Sequence, residues 1–200
     1  MLLIGLTGPS GSGKGLVAEI FSRFGLPVIN ADEVYHQLLV PPSPCLEELV
    51  GRFGNVILTS AGTLNRRELA SIVFSDPASL AALNSITHRY VMEEILRRTE
   101  QLRREETRAA ILDAPQLFEA GANRMCGAVV SVLADKNLRL ERVLQRDGID
   151  RDAALRRIAA QKSDEFFRSH SDYIIENNHA PEHLIPEVKR ILSETGVLHS

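Results

Sequence analysis

Within LTGPSGSGKG, residues 6–15, glycines and a lysine stand at Gly8, Gly11, Gly13 and Lys14. Gly8, Gly13 and Lys14 satisfy the phosphate-loop spacing of Gly, four residues, Gly, Lys. A loop of this kind, running from a strand into a helix, aims successive backbone N–H groups at one spot, where the helix dipole adds positive charge. The glycines permit the backbone angles and the close approach, and a lysine at this offset reaches the outer phosphates of a nucleotide. The pattern normally closes on Ser or Thr, whose hydroxyl touches Mg²⁺; Gly15 stands in that place here, and Leu16 follows. The chemistry expected is nucleotide-phosphate binding by Gly8, Gly11, Ser12, Gly13, Lys14, Gly15 and Leu16, with the metal held loosely. The competing reading is a tight turn that merely needs glycine. A strand before the loop, a helix after it and lysine at the right offset favour the phosphate.

The elements that must position this loop follow from periodicity. LLIGL (2–6) is an apolar run ending at the loop, as suits a buried parallel strand. Leu16, Val17, Ile20, Phe21 and Phe24 fall at helical spacing, with Gly25 as the stop. PVIN (27–30), AAILDAP (109–115), GAVVSVLA (127–134) and DYIIEN (172–177) read as four further strands. Helices are expected over 31–39, in KNLRLERVLQRDG, in DRDAALRRIAAQK and in PEHLIPEVKRILSE. Strands alternating with helices give an α/β fold with a parallel five-stranded sheet covered on both faces. The helical stretch between the second and third strands is too long for one crossover and reads as an inserted lobe. Its pairs Glu93–Arg97, Glu94–Arg98 and Glu100–Arg104 are expected on a solvated helix face.

Composition narrows the class. Two hundred residues with 44% apolar content can bury one domain and a small inserted lobe. A net charge of −3 lacks the basic footprint of a nucleic-acid binder. No apolar run is long enough to cross a bilayer, and MLLIGLTG lacks the basic start of a signal peptide. Cys45 and Cys126 have no metal-ligand spacing and read as free thiols of a cytoplasmic protein.

With the loop, the ordered stretches PVINADEVYHQLL, RFG…GTLNRRELASIVFSDP, NSITHRYV, ILDAPQLFEAG, LERVLQRDG, RIAAQ and DYIIENN resemble the dephospho-coenzyme A kinase family across nearly the whole chain. The resemblance implies a phosphate-loop kinase resembling nucleoside monophosphate kinases, with a nucleotide core over 1–60 and 108–200. It also implies a helical coenzyme-A lobe over about 61–107 and a helical lid over about 145–170. The implied reaction moves the γ-phosphate of ATP, with Mg²⁺, to the ribose 3′-hydroxyl of dephospho-CoA, the last step of coenzyme A biosynthesis. Neither nucleic acid nor membrane is an expected partner, and the chain is expected as a monomer or weak homo-oligomer.

Roles follow position by position from that resemblance. Asp32 matches the catalytic base of an Asp-Ala-Asp motif whose first acid is Asn30 here; a helix N-cap is its other reading. Asp113, ending the third strand, would hold Mg²⁺ through water, or serve only as a strand-end turn residue. Glu119 is a weaker acid of the site or a helix-surface acid. Arg142 and Arg146 project from one helix face, where they would clamp phosphates; solvated arginines are the plain alternative. Arg157 and Gln161 would support the lid. Asn177 would meet adenine or simply make a turn. On the substrate side His36 replaces a usual arginine, and His88 keeps a histidine whose following proline is Arg89 here. The remaining histidines, 170, 179, 183 and 199, read as surface residues. Two other readings stay open: another small-molecule or nucleoside monophosphate kinase, or a nucleotide-binding regulatory protein that has lost catalysis.

Overall fold

The computed structural model describes residues 1–198, so His199 lies outside the described residues. Five strands form, at β1 Leu2–Thr7, β2 Val28–Asn30, β3 Ala109–Asp113, β4 Ala128–Leu133 and β5 Tyr173–Glu176. They make one parallel sheet in the order β2-β3-β1-β4-β5. β1 is therefore central, with β3 on one side and β4 on the other, and the loop that follows it opens where the chain switches direction across the sheet. The five strands expected from sequence all form.

Alternation along β1 sets its two faces. Ile4 and Leu6 are fully buried in a cluster with Val17, Ile20 and Phe21 of α1 (Lys14–Arg23). Val188, Ile191 and Leu192 of the last helix close the same cluster. Gly5 points the other way, where an added Cβ would stand 2.8 Å from Leu117 Cδ2 and 2.9 Å from Cys126 Sγ. Glycine lets that layer pack directly on the strand. Cys126 and Cys45 are both free thiols, and burial pushes them up to about 12 and about 11.

The chain divides into two compact units, one of residues 1–29 and 102–198 and one of residues Asn30–Gln101. The second unit holds α2 (Ala31–Gln37), α3 (Pro44–Phe53), α4 (Arg66–Ser75) and most of α5 (Pro77–Arg104). It has its own core, in which Leu39, Cys45, Leu49 and Ile57 pack with Leu69 and Val73. The helical unit thus begins at Asn30, earlier than the expected boundary near residue 61. The reason is physical: the apolar face of α3 is buried in this cluster, where Ile57 links it to α4, and helical spacing alone cannot say what a face will meet.

In the first unit, α6 (Lys136–Asp147) and α7 (Arg151–Ala159) form a hairpin turned at Gly148, which adopts φ +61°. Leu140, Val143, Ala154 and Ile158 make its small buried cluster. A helix not read from sequence follows, α8 (Asp164–His170), and α9 (Leu184–Glu194) completes the fold. Among the described residues no helix is long and apolar enough to cross a membrane.

On α5 a single carboxylate takes two arginines. Glu94 accepts from Arg97 Nε at 2.7 Å and from Arg98 Nε at 2.7 Å, so the register is three and four residues from one acid. The Arg97 hydrogen bond, aided by Arg98, holds the Glu94 carboxyl at about 2, below its ordinary 4.5. A carboxyl depressed on folding stabilises above its unfolded value and loses that contribution as pH falls through the folded value. Between pH 4.5 and about 2 the melting temperature should fall more steeply for the wild type than for Glu94→Gln. Equal slopes would remove this pair from the acid lability.

Candidate functional site

The loop after β1 is built from peptides whose direction is fixed from outside. Gly8, Gly11 and Gly13 all hold positive φ, at 146°, 79° and 90°. At Gly11 an added Cβ would lie 2.5 Å from the carbonyl oxygen of Arg139, so α6 packs against the loop backbone. The loop carbonyls turn outward to cationic and amide donors. Arg139 Nε donates to Ser10 O at 3.1 Å, and Arg142 Nη1 donates to Gly11 O at 3.2 Å. Asn177 Nδ2 donates to Ser12 O at 2.8 Å, and Arg142 Nη2 to the carbonyl of Asn177 itself at 3.1 Å.

A trans peptide places its N–H opposite its C=O. Tying the oxygens of Ser10 and Ser12 outward therefore turns the amides of Gly11 and Gly13 inward. The amides of Lys14 and Gly15, which open α1, precede the first helical bonds, made by Leu16 and Val17 to the Gly13 carbonyl, and so are left for a ligand. The Ser12 hydroxyl is fully buried without a partner among the described residues. Converging amides, a helix N-terminus, an orphaned hydroxyl and Lys14 together suit a polyphosphate.

Register explains the lysine. Leu6 of β1 pairs with Asp113 of β3, which brings the end of β3 beside the start of α1. Lys14 Nζ forms an ion pair with Asp113, the carboxylate being 4% and the lysine 16% exposed. The loop thus carries a positive lysine whose partner in the chain is an acid at a strand end.

The other residues singled out from sequence divide into those the structure gathers at the loop and those it leaves elsewhere. Arg142 and Asn177, expected at phosphate and adenine, are brought to the loop but bond its backbone, and Asn177 is buried. Arg142 and Arg146 do not share a partner. The Arg146 guanidinium, 61% exposed, makes two hydrogen bonds to Asp147, which Arg157 of α7 also joins. Gln161 reaches the loop: its Oε1 accepts from Ser10 N–H and its Nε2 donates to Ser10 Oγ, both at 3.0 Å. Glu119 is exposed in a turn rather than on a helix.

On the helical unit, Asp32 and His36 lie one turn apart on α2, both exposed, and His88 is exposed on α5. The cap of α2 is Asn30, not Asp32: Asn30 Oδ1 accepts from the amides of Asp32 at 2.9 Å and Glu33 at 3.1 Å. The amide side chain that stands in for an acid thus does the capping, and the Asp32 carboxylate is not needed for it. Arg89, in place of proline, leaves α5 continuous and pairs with Glu48, while Tyr90 donates to the same carboxylate at 2.9 Å. Of the other histidines, 170 and 179 are exposed. His183 is half-buried, with both ring nitrogens on backbone oxygens of Ala180 and Glu176, and those bonds raise its pKa.

Arg139 of α6 is the loop-bracing residue that sequence reasoning missed. It is 4% exposed, and burial pulls its pKa down against the opposing pull of Asp164. The available signal was spacing: positions 139, 142 and 146 share one face of α6.

The dephospho-CoA kinase family model matches residues 2–182. The dephospho-CoA kinase of Syntrophotalea carbinolica is 38% identical over 96% of this chain and 92% of its own length. That of Corynebacterium efficiens is 40% identical over 97% of both chains. Among solved structures, dephospho-CoA kinase from Campylobacter jejuni superposes with a TM-score of 0.74 at 27% identity, covering 98% of each chain.

The glycine geometry makes a stability contrast testable. Gly11→Ala forces a side chain into positive φ and against the Arg139 carbonyl, so it should lower the melting temperature by several degrees. Gly15→Ala adds a Cβ with nothing within 4 Å, at a helical position, and should not lower it. Equal losses at both sites would show that the backbone of the loop is not fixed as described.

Proposed function

This chain belongs to the dephospho-CoA kinase family, and we propose that it transfers the γ-phosphoryl group of ATP to the ribose 3′-hydroxyl of dephospho-CoA, giving CoA and ADP. The observation that carries the reading to this chain's own residues is the loop. Its carbonyls are tied outward by Arg139, Arg142 and Asn177, so its amides present a cradle for phosphate.

In the proposed reaction the substrate's 3′-oxygen attacks the γ-phosphorus while the bond from that phosphorus to the bridging β,γ-oxygen breaks and ADP leaves. The hydroxyl proton passes to the Asp32 carboxylate, which orients the attacking oxygen. Gly8, Gly11, Ser12, Gly13, Lys14, Gly15 and Leu16 hold the nucleotide, Lys14 exchanging Asp113 for an outer phosphate. Arg142 and Asn177 act on the nucleotide through the loop they brace. Arg146 meets the transferred group by exchanging Asp147 for phosphate, and its neutralising charge lowers the barrier as negative charge spreads over the oxygens. His36 and His88 serve the dephospho-CoA side. Residues of about 145–170 act as the lid, excluding water when they close.

Mg²⁺, when bound, would neutralise the phosphate oxygens, and Asp113 is the residue that would hold it, through water. The described residues offer no group of three His, Cys, Asp or Glu for a metal cage, which suits an ion held mainly by phosphates. The reading is of a cytoplasmic enzyme with a small-molecule substrate and no nucleic-acid or membrane partner. The net charge of −3, without the basic excess that nucleic acid recruits, supports the exclusion of nucleic acid.

Purified protein with ATP, Mg²⁺ and dephospho-CoA should yield ADP and CoA in equal amounts. No turnover across a range of Mg²⁺ and Mn²⁺ would overturn the assignment. Asp32→Asn removes the carboxylate and leaves the Asn30 cap in place, so kcat should drop by about 10²-fold or more with ATP affinity nearly unchanged. Retention of most of the kcat would return Asp32 to the status of a surface acid.

A further inference from the structure

Ser10 is held at three of its atoms, more than any other residue of the loop. Its carbonyl accepts from Arg139 Nε at 3.1 Å; its N–H donates to Gln161 Oε1 and its hydroxyl accepts from Gln161 Nε2, each at 3.0 Å. Arg139 Nη1 also donates to Asp164 at 3.0 Å, and Nη2 reaches Gln161 Oε1 at 3.4 Å. One guanidinium therefore joins the loop, the end of α7 and the start of α8. We propose that Arg139 is a positioning residue, which aims the Gly11 amide at the nucleotide phosphate by holding the Ser10 carbonyl outward.

The argument rests on planarity. Ser10 C=O and Gly11 N–H belong to one peptide, so fixing the oxygen on one side fixes the hydrogen on the other. Gly11, at φ +79°, imposes no side-chain barrier of its own on the rotation of that peptide. The turn bond from Ser12 N–H to Pro9 O, at 3.1 Å, closes around that peptide, and an external contact to its oxygen fixes it further. Arg139 supplies it with a planar fork that serves three partners at once, which the single ammonium of a lysine cannot do. Burial makes the contact strong, because the buried guanidinium has few alternative partners, and Asp164 offsets part of the cost of its charge.

If Arg139 merely fastened α8 to α6, the ion pair with Asp164 would be the essential contact; if it aims the amide, the bond to Ser10 is. The inference rests on the nucleotide reading of the loop, and its test uses ATP without dephospho-CoA. A wild type that binds ATP but fails to convert dephospho-CoA would therefore defeat the proposed reaction and leave this inference standing. Arg139→Lys should raise the ATP Kd by about tenfold or more, as expected for loss of a charge-assisted hydrogen bond. Asp164→Asn leaves Nε on Ser10 and should raise it by less than about threefold. In the ¹⁵N-labelled wild type, the Gly11 amide should shift and gain exchange protection on adding ATP. Equal Kd increases in the two variants would overturn the proposal, since they would place the effect in the ion pair. A Gly11 amide indifferent to ATP would overturn it as well, and decides the matter should Arg139→Lys fail to fold.

Discussion

The outward capture of three successive carbonyls, at Ser10, Gly11 and Ser12, is the constraint on which the nucleotide side of this protein turns. A glycine-rich loop has many conformations, and most of them scatter its amides. The carbonyls are its handles. Each lies near or below the surface and needs a donor, and the chain answers with two arginines from α6 and an asparagine that follows β5. The sheet order makes this possible, because β4 leads into α6 and β5 into Asn177, and these strands lie on the α6 side of β1. The apolar cluster beneath α1 and α9 keeps those elements from sliding relative to the loop.

Charge placement shows the same economy. Cations taken out of water are tolerated only when their donors are used, and the buried Arg139 and half-buried Arg142 bond mostly backbone oxygens or amides rather than carboxylates. Arginines on the solvent side behave differently. Arg146 and Arg157 share Asp147, an exposed arrangement in which each bond competes with water and is easily exchanged for another anion. One helix face thus changes along its length from fixed scaffold to replaceable contact.

Much of this was legible in the sequence, because its signals are local. The strands are short apolar runs bounded by turn residues, and the loop carries its own spacing. α8 was not legible: it has seven residues, Ser163 caps it, and Phe167 is its one buried side chain, so no periodicity accumulates. Asn30 read as a missing charge, whereas its geometry makes it a cap, and a single position cannot announce which of two uses its side chain serves. The start of the helical unit was displaced because α3 is amphipathic whatever it packs on. Arg139 resembled its exposed neighbours, for burial is a property of what surrounds a side chain and not of its type.

The two cysteines carry a consequence in redox terms. Oxidants and alkylating agents react with the thiolate, and burial holds Cys45 at about 11 and Cys126 at about 12. At neutral pH the thiolate fraction is then on the order of 10⁻⁴ or lower at each site. Cys126 sits against the bare backbone of Gly5, on the central strand that leads into the phosphate loop, so a sulfur enlarged by oxygen would press on that strand directly. Keeping the proton on the sulfur keeps that position chemically quiet, and the folded protein meets peroxide with no ready nucleophile at the heart of its sheet.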